Sequence, residues 1–545
     1  MDGLSFVAAP PPAGSDPARA DIACFAGFVP RRGPIAARRK DESDESYLER
    51  LPSGLRRWLH ENGWQPKRDG RTAEEIVDLW NVPVPIASWD AFDALFAWEA
   101  RPVGASSDER CDTLLGAAVR NFFAQGGRNC YVVRLGDPWP VLPPHSEEAS
   151  KLEKPRPDSS AFLPKFPEPS AVDRGSWMGV GHLLGLSDVS FLCLPDLVEL
   201  FAVTPTKEKT KAVSVPREIF VECAEETELP RGRVLLGIPA PRFDEAGFLA
   251  WSVLVRRIGD FLHRKAPEVQ FVAAIPLPVD VVSLAGWAGI ASLVRAAEKA
   301  QWECVAEIET VFVQLVYPWL RTRTSPALPG GLEPPDGVLA GLLAGSALTR
   351  GSWRSAIRQP VPGIFSVEPV LDRAMLERDL SSSHSKGRIA LTVRERVTAI
   401  GPAPGGFRLL SDVTMDDDEM YRPANVNRLV CAILRAARVT GESAVFQNNG
   451  EELWSRLRDS LVNLLAGLWA EGALEGESAE EAFSVRCDRS TMTQADLDAG
   501  RVICTVSFTA AAPIVHITVV LAMDEGGHVS LASRQALAAP QSQAA

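Results

Sequence analysis

The residues most able to do chemistry in this chain are its histidines and cysteines, and their spacing gives them little to do together. The nine cysteines stand at 24, 111, 130, 193, 223, 304, 431, 487 and 504. They form no C-x-x-C pair, and none stands at metal-ligand spacing from one of the seven histidines. Singles set in apolar runs, such as Cys193 within Val189–Leu194, read as small core residues of a protein that folds under reducing conditions. His182, His263 and His516 sit in or beside apolar segments, where a partly buried imidazole with one hydrogen bond is expected rather than a proton-transfer role. A Walker-type phosphate cradle needs Gly-Lys-[Ser/Thr], and no Gly-Lys dipeptide occurs. The glycines of Gly179-Val180-Gly181-His182-Leu183-Leu184-Gly185 have the wrong spacing for a dinucleotide loop and precede a strand instead of following one. H-E-x-x-H and G-x-S-x-G are both absent. Asp416-Asp417-Asp418-Glu419 lacks the spacing of a calcium loop and reads as a solvated turn. Arg31-Arg32 and Arg38-Arg39-Lys40 read as solvated surface. No catalytic, cofactor-binding or metal site is expected.

Composition narrows the class further. At 545 residues the chain exceeds one hydrophobic core, and 46% hydrophobic with 23% charged residues describes a folded, water-soluble protein. The net charge of −13 argues against a general grip on nucleic acid, although 46 of the 57 basic residues are arginine. Met1-Asp2-Gly3-Leu4 does not open a secretory signal, and the longest uncharged apolar run, Val281–Val294, is too short to cross a bilayer.

Periodicity supplies the elements. Residues 1–20 form an arm around the apolar patch Leu4-Ser5-Phe6-Val7-Ala8, and Asp21–Val29 is the first strand. Residues 33–81 are mixed-charge and helical. A strand from Val82 leads to Ser88, an N-cap for a helix carrying Phe92 and Phe96. A second helix over 109–125, with Leu115, Val119, Phe122 and Phe123 on one side, stops at Gly126-Gly127 before strand Cys130–Val133. The proline-rich stretch 138–172 reads as an exposed loop. Strands Val189–Leu194, Phe271–Leu277 and Val311–Tyr317 then alternate with helices Glu245–His263 and Ala285–Lys299 in α/β fashion. Helix Ala424–Arg438 precedes a second one, with Asn449 and Glu452 as its capping box and a stripe through Leu453, Leu457, Leu461, Leu464 and Leu468. Strands Val502–Phe508 and Ile514–Leu521 close the fold before a polar tail.

Several of these segments together resemble the contractile tail-sheath family of phages and phage-tail-like injection particles. Asp21-Ile22-Ala23-Cys24-Phe25-Ala26-Gly27 resembles the family's first strand, and Gly126-Gly127-Arg128-Asn129-Cys130-Tyr131-Val132-Val133 with the helix before it resembles its helix–Gly-Gly–strand unit. Tyr317-Pro318-Trp319, Pro334-Pro335-Asp336-Gly337 and Arg350-Gly351-Ser352-Trp353 recur in the family's order. Val445-Phe446-Gln447-Asn448-Asn449, Leu468-Trp469-Ala470-Glu471-Gly472-Ala473-Leu474-Glu475-Gly476 and Ala482-Phe483-Ser484-Val485-Arg486-Cys487-Asp488 are similar to its C-terminal signature. The matches span roughly three-quarters of the chain and agree in order. The family's Pro-Gly-Val-Tyr start is missing. Leu409-Leu410-Ser411-Asp412 stands where many members carry a Trp-Gly-Ala-Arg-Thr-like strand, and 33–81 and 138–172 look like insertions.

The resemblance implies a mixed α+β and α/β multi-domain fold, with a sheath-type core whose N- and C-terminal strand arms are exchanged between subunits. The expected organisation is an arm (1–20), an N-terminal α/β part (21–32 and 82–137), a helical insertion (33–81) and a proline-rich loop (138–172). A central α/β domain (173–324), a linker and outer part (325–400), a C-terminal sheath core (401–522) and a polar tail (523–545) follow. Strand exchange would run through Leu4, Phe6 and Val7 of the arm and through Ile503, Val506, Phe508, Ile514, Ile517 and Val519 of the last hairpin, whose open edge would accept a neighbour's strand. Arg456 and Arg458 on the long helix would face an inner tube. The implied function is that of a structural, non-enzymatic subunit without cofactors, polymerising as stacked, hexameric rings around a tube protein and contracting to drive it through a target envelope. Its partners would be itself, the tube, a baseplate and a cap, with no nucleic acid and no membrane insertion. Assembly would occur in a bacterial cytoplasm, into a virion-like or injection particle either released or envelope-anchored. A specialised baseplate- or cap-proximal sheath relative is the alternative, and a cytosolic α/β enzyme a remoter one.

Overall fold

The computed structural model describes residues 20–33, 37–66, 70–104, 108–142, 156–204, 235, 237–280, 290–380, 391–443, 449–511, 514–523 and 529–538. The arm residues Leu4, Phe6 and Val7 lie outside them. The fold is mixed α/β, built on several sheets.

The largest sheet has eight strands: β1 (Ala23–Phe28), β2 (Pro83–Ile86), β3 (Cys130–Gly136), β4 (Phe191–Cys193), β5 (Gln270–Ala274), β6 (Val313–Tyr317), β7 (Thr398–Ala403) and β8 (Gly406–Leu409). Their spatial order is β8-β7-β6-β5-β4-β1-β3-β2. The six middle strands run parallel, and β8 and β2 add antiparallel edges. Parallel strands must be covered on both faces, so they read as continuous apolar runs, and β1 is buried at every position. Pro83 and Pro85 fall on the edge strand β2, where a missing amide leaves the sheet intact. β7 runs through the boundary drawn at 400/401 and β8 joins the same sheet. The C-terminal unit therefore separates only after Leu409.

Helices cover this sheet: α1 (Trp89–Leu95), α2 (Leu114–Ala124), α3 (Glu245–Lys265), α4 (Ile290–Ala306) and α5 (Asp336–Arg350). Ser88 caps α1 as expected, its hydroxyl accepting from Ala91 N at 3.2 Å. α5 lies unusually close to α2: a Cβ at Gly337 or Gly341 would come within 2.3 Å of Ala118 O or 2.4 Å of Phe122 O. Only glycine lets the two backbones meet there.

Residues 33–81 are helical as expected, with short helices at Asp44–Leu48, Ser53–Glu61 and Ala73–Val77. The expectation of an exposed loop over 138–172 is corrected in part: Trp139, Phe162 and Leu163 are buried, with Trp139 and Phe162 set edge-on to Phe28. Phe166 and Val172 do lie in solvent.

The C-terminal unit consists of α6 (Ala424–Ser443), α7 (Glu451–Ala470) and a four-stranded antiparallel sheet: β9 (Phe483–Arg486), β10 (Val502–Ala511), β11 (Ile514–Met523) and β12 (Val529–Ala538). Burial alternates strictly along β10, so one face packs inward, with β11 and β12 meeting α6 and β9 meeting α7. Two details of α7 differ from expectation. Gly450 is its N-cap and no capping box forms, because Asn449 Oδ1 instead accepts from Trp454 Nε1 at 2.8 Å. Leu465, not Leu464, continues the buried stripe, as spacings of four residues suit the helix better than a step of three at that point.

Candidate functional site

Helix α6 crosses the amino ends of the central strands, and three arginines hold it there. Arg428 makes a two-pronged pair with Asp412, at 3.1 and 2.8 Å, and its Nε donates to Ser352 O at 3.0 Å. Asp412 also accepts from Ala356 N and from Gln314 Nε2 on β6, and Gln314 links onward to Thr398 on β7 and Gln270 on β5. Burial alone would raise the Asp412 pKa. The Arg428 charge and these donors outweigh it and hold the carboxyl below the usual range. About two and three turns further along, Arg435 donates to Glu268 O at 3.0 Å and Arg438 pairs with the Glu268 carboxylate and Leu184 O. Glu268 and Leu184 both precede their strands, so α6 sits at strand starts along its length. All three arginines are buried, at most 4% exposed.

The four-stranded sheet lies beyond α6. The expected polar tail, 523–545, is corrected: Val529–Ala538 forms β12, pairing along β11 from Met523↔Val529 to Val515↔Ala538. The hairpin of β10 and β11 therefore has no open edge. β9 and the Leu474 bridge flank β10, and β12 flanks β11, so Ile503, Val506, Phe508, Ile514, Ile517 and Val519 all lie on inner strands. Nor do they share a face: Val506, Phe508, Ile517 and Val519 are buried, whereas Ile503 points to the half-exposed side. Among the described residues, the outer edge of β12 has no partner strand.

Arg456 and Arg458 stand on the outer side of α7, 47% and 46% exposed, against Glu452 and Asp459. The cysteine expectation is corrected at one place. Cys487 and Cys504, at the end of β9 and on β10, form a disulfide, with Cα atoms 4.4 Å apart. Among the other candidates, His182 is buried against Trp64 and His263 is exposed with its ring edge-on to Phe312. The His516 side chain lies outside the described residues. Asp416–Glu419 forms a turn in which Asp417 pairs with the buried Arg396. No group of three or more potential metal ligands is brought together among the described residues, and no helix among them is long and apolar enough to cross a membrane.

At the opposite, carboxyl end, the sheet has its switch point between β1 and β4, where open α/β sheets hold ligands. Here the crevice is filled by the chain itself. Asp196 accepts from Phe28 N at 2.7 Å over Gly27, where any side chain would strike its carboxylate. Arg101 clasps Glu199 at 2.8 and 2.7 Å, both buried. Asp196, Glu333 and Asp336 are each pushed up to about 7 by burial.

Residues 416–523 match the family model for the phage tail sheath C-terminal domain, a span that takes in α6, α7, β9, β10 and β11. The chain carries a tail-sheath C-terminal domain. The sheath domain thus begins beside Asp412 and ends where β12 is still to come. Among solved structures, the chain is similar to the contracted helical sheath of the anti-feeding prophage, with 18% identity, TM-score 0.48, and 94% of this chain and 96% of that chain covered. The sheath complex of an extracellular contractile injection system, PVC, also contracted, gives 16%, 0.47, and the same coverage. The sheath tail protein from Desulfitobacterium hafniense gives 9%, 0.42, and coverage of 96% and 100%. No curated protein matches the chain.

Proposed function

We propose that this chain is a structural subunit of a contractile sheath, which polymerises around an inner tube and shortens to drive the tube through a target envelope. The sheath C-terminal domain over 416–523 carries this reading. The subunit is assembled in a bacterial cytoplasm as stacked hexameric rings, and its further partners are the tube, a baseplate and a cap. Its work is mechanical and uses no cofactor.

The architecture supplies a physical route. The central sheet and its helices form one large core, and α6 is fastened to it by the buried Arg428, Arg435 and Arg438 through their carboxylate and carbonyl partners, so force on the C-terminal sheet reaches the body. The N-terminal arm, 1–20, carries an apolar patch with no core of its own and would add as a strand to a neighbour's C-terminal sheet. The end of that sheet at β12 is the acceptor, in place of the hairpin edge. Each backbone hydrogen bond gained there contributes about 1 kcal/mol net. Head-to-tail contacts of this kind build open helical polymers. A difference of about 1–3 kcal/mol per subunit between two packings, summed over a long polymer, drives contraction while the strand links keep neighbours tied. Arg456 and Arg458, exposed on α7, are the proposed contacts to the tube.

Expression of the full chain with its tube protein, followed by negative-stain microscopy, tests the proposal. Ribbed cylinders support it, isolated single rings indicate an end-specific sheath relative, and a soluble monomer that ignores the tube contradicts both.

A further inference from the structure

The pair Cys487 and Cys504 is placed by strand register, not by proximity in sequence. β9 and β10 pair from Phe483↔Phe508 to Arg486↔Thr505, so the next opposed residues are Cys487 and Cys504. Phe483, Val485 and Cys487 share the inward side of β9, facing Phe508, Val506 and Cys504. A Cα separation of 4.4 Å is that of a non-hydrogen-bonded antiparallel pair, the position at which side chains approach most closely and at which two sulfurs can bond. Both residues are buried, 3% and 5% exposed. The other described cysteines, at 24, 111, 130, 193, 304 and 431, are buried thiols.

What this bond would hold is an edge. β9 has four residues and ends the four-stranded sheet on one side, as β12 ends it on the other. A short edge strand frays and offers unpaired backbone to other chains. The bond lies one residue past the last ladder pair of β9, where fraying would begin, and it closes the turn and small helix between 487 and 504.

We propose that Cys487 and Cys504 are a thiol–disulfide staple that locks edge strand β9 onto β10 once the protein leaves a reducing compartment, so that strand exchange takes place at the β12 end of the sheet. The consequence for assembly rests on the sheath reading, whereas the chemistry of the pair does not. With glutathione disulfide as oxidant, one cysteine thiolate attacks a glutathione sulfur, breaking the S–S bond and releasing one glutathione. The second cysteine thiolate then attacks the mixed disulfide and releases the other. Two protons and two electrons leave the cysteine pair, and one glutathione disulfide becomes two glutathiones. Because both sulfurs are buried, the reaction waits on opening of β9.

The test uses the full chain, purified with dithiothreitol and then exchanged into either dithiothreitol or glutathione disulfide. After denaturation and alkylation with iodoacetamide, the oxidised sample should show seven modified cysteines of the nine and a linked peptide containing 487 and 504. The reduced sample should show nine. Hydrogen–deuterium exchange of residues 483–487 should be about tenfold slower in the oxidised form. Cys504→Ser should exchange at the fast rate in both buffers. Nine modified cysteines after oxidation, a bridge to another cysteine, or equal exchange of 483–487 in the two forms would overturn the proposal. The wild-type comparison stands even where the variant fails to fold. A stapled, protected β9 in a chain that never polymerises would count against the sheath reading alone.

Discussion

Nη2 of Arg428 lies 2.8 Å from Oδ2 of Asp412, both side chains buried, and this pair fastens the sheath domain to the amino ends of the central sheet. Removing one partner strands the other charge in the core, which costs about 3–5 kcal/mol. Arg428→Ala should therefore lower the urea midpoint steeply, while an exposed change such as Arg458→Ala should leave it within about 0.5 kcal/mol. Equal midpoints for Arg428→Ala and wild type would remove this pair from the fastening.

Glycine at 341 is a packing requirement. Its added Cβ would meet Phe122 O at 2.4 Å, so Gly341→Ala should destabilise by about 1–3 kcal/mol through separation of α2 and α5. Gly467, on the open side of α7, has nothing within 4 Å, and Gly467→Ala should stabilise by about 0.5–1 kcal/mol. Opposite signs for the same chemical change, read by urea denaturation, check the two environments.

The carboxyl end of the sheet should make stability depend on pH. Asp196, Glu333 and Asp336 titrate near 7 in the folded chain and near the ordinary value, about 4, when unfolded. The unfolded state then binds fewer protons between these values, so the contribution of these groups is complete below about pH 4 and is lost as pH rises to about 7. Asp336→Asn should flatten the fall in urea midpoint between pH 5 and 7.5. An unchanged slope would show that Asp336 does not titrate at a raised pKa in the fold.

Arg456 and Arg458 have exposed partners and add little to stability. Reversing both to glutamate should leave the melting temperature within about 1 °C and abolish co-sedimentation with the tube protein at low salt. Full co-sedimentation of the double variant would move the tube contact elsewhere.

Where burial follows apolar periodicity, residues announced their elements: the first strand, Ser88 as a cap, the helix over Leu115–Phe122, and the hairpin of β10 and β11 all stand as read. The features that hold the C-terminal sheet in place were hidden for physical reasons. Arg428, Arg435 and Arg438 look like a solvated side because charge ordinarily marks solvent, and only the tertiary fold supplies the carbonyls and carboxylates that pair them. β12, from Val529 to Ala538, mixes serine, arginine and glutamine with small apolar residues, and a register shift beside Val520 blurs its alternation further. Cys487 and Cys504 are separated by 17 positions and meet only through the β9–β10 register.

Assembly through the C-terminal sheet is tested most directly by truncation. The full chain, a form lacking residues 1–20 and a form lacking 529–545 would each be expressed with the tube protein and imaged by negative stain. The sheath assignment predicts ribbed cylinders from the full chain alone, with both truncated forms remaining folded by circular dichroism but unpolymerised. Cylinders from either truncated form would contradict strand exchange, and their absence from all three, with a folded full chain, would contradict the sheath assignment itself.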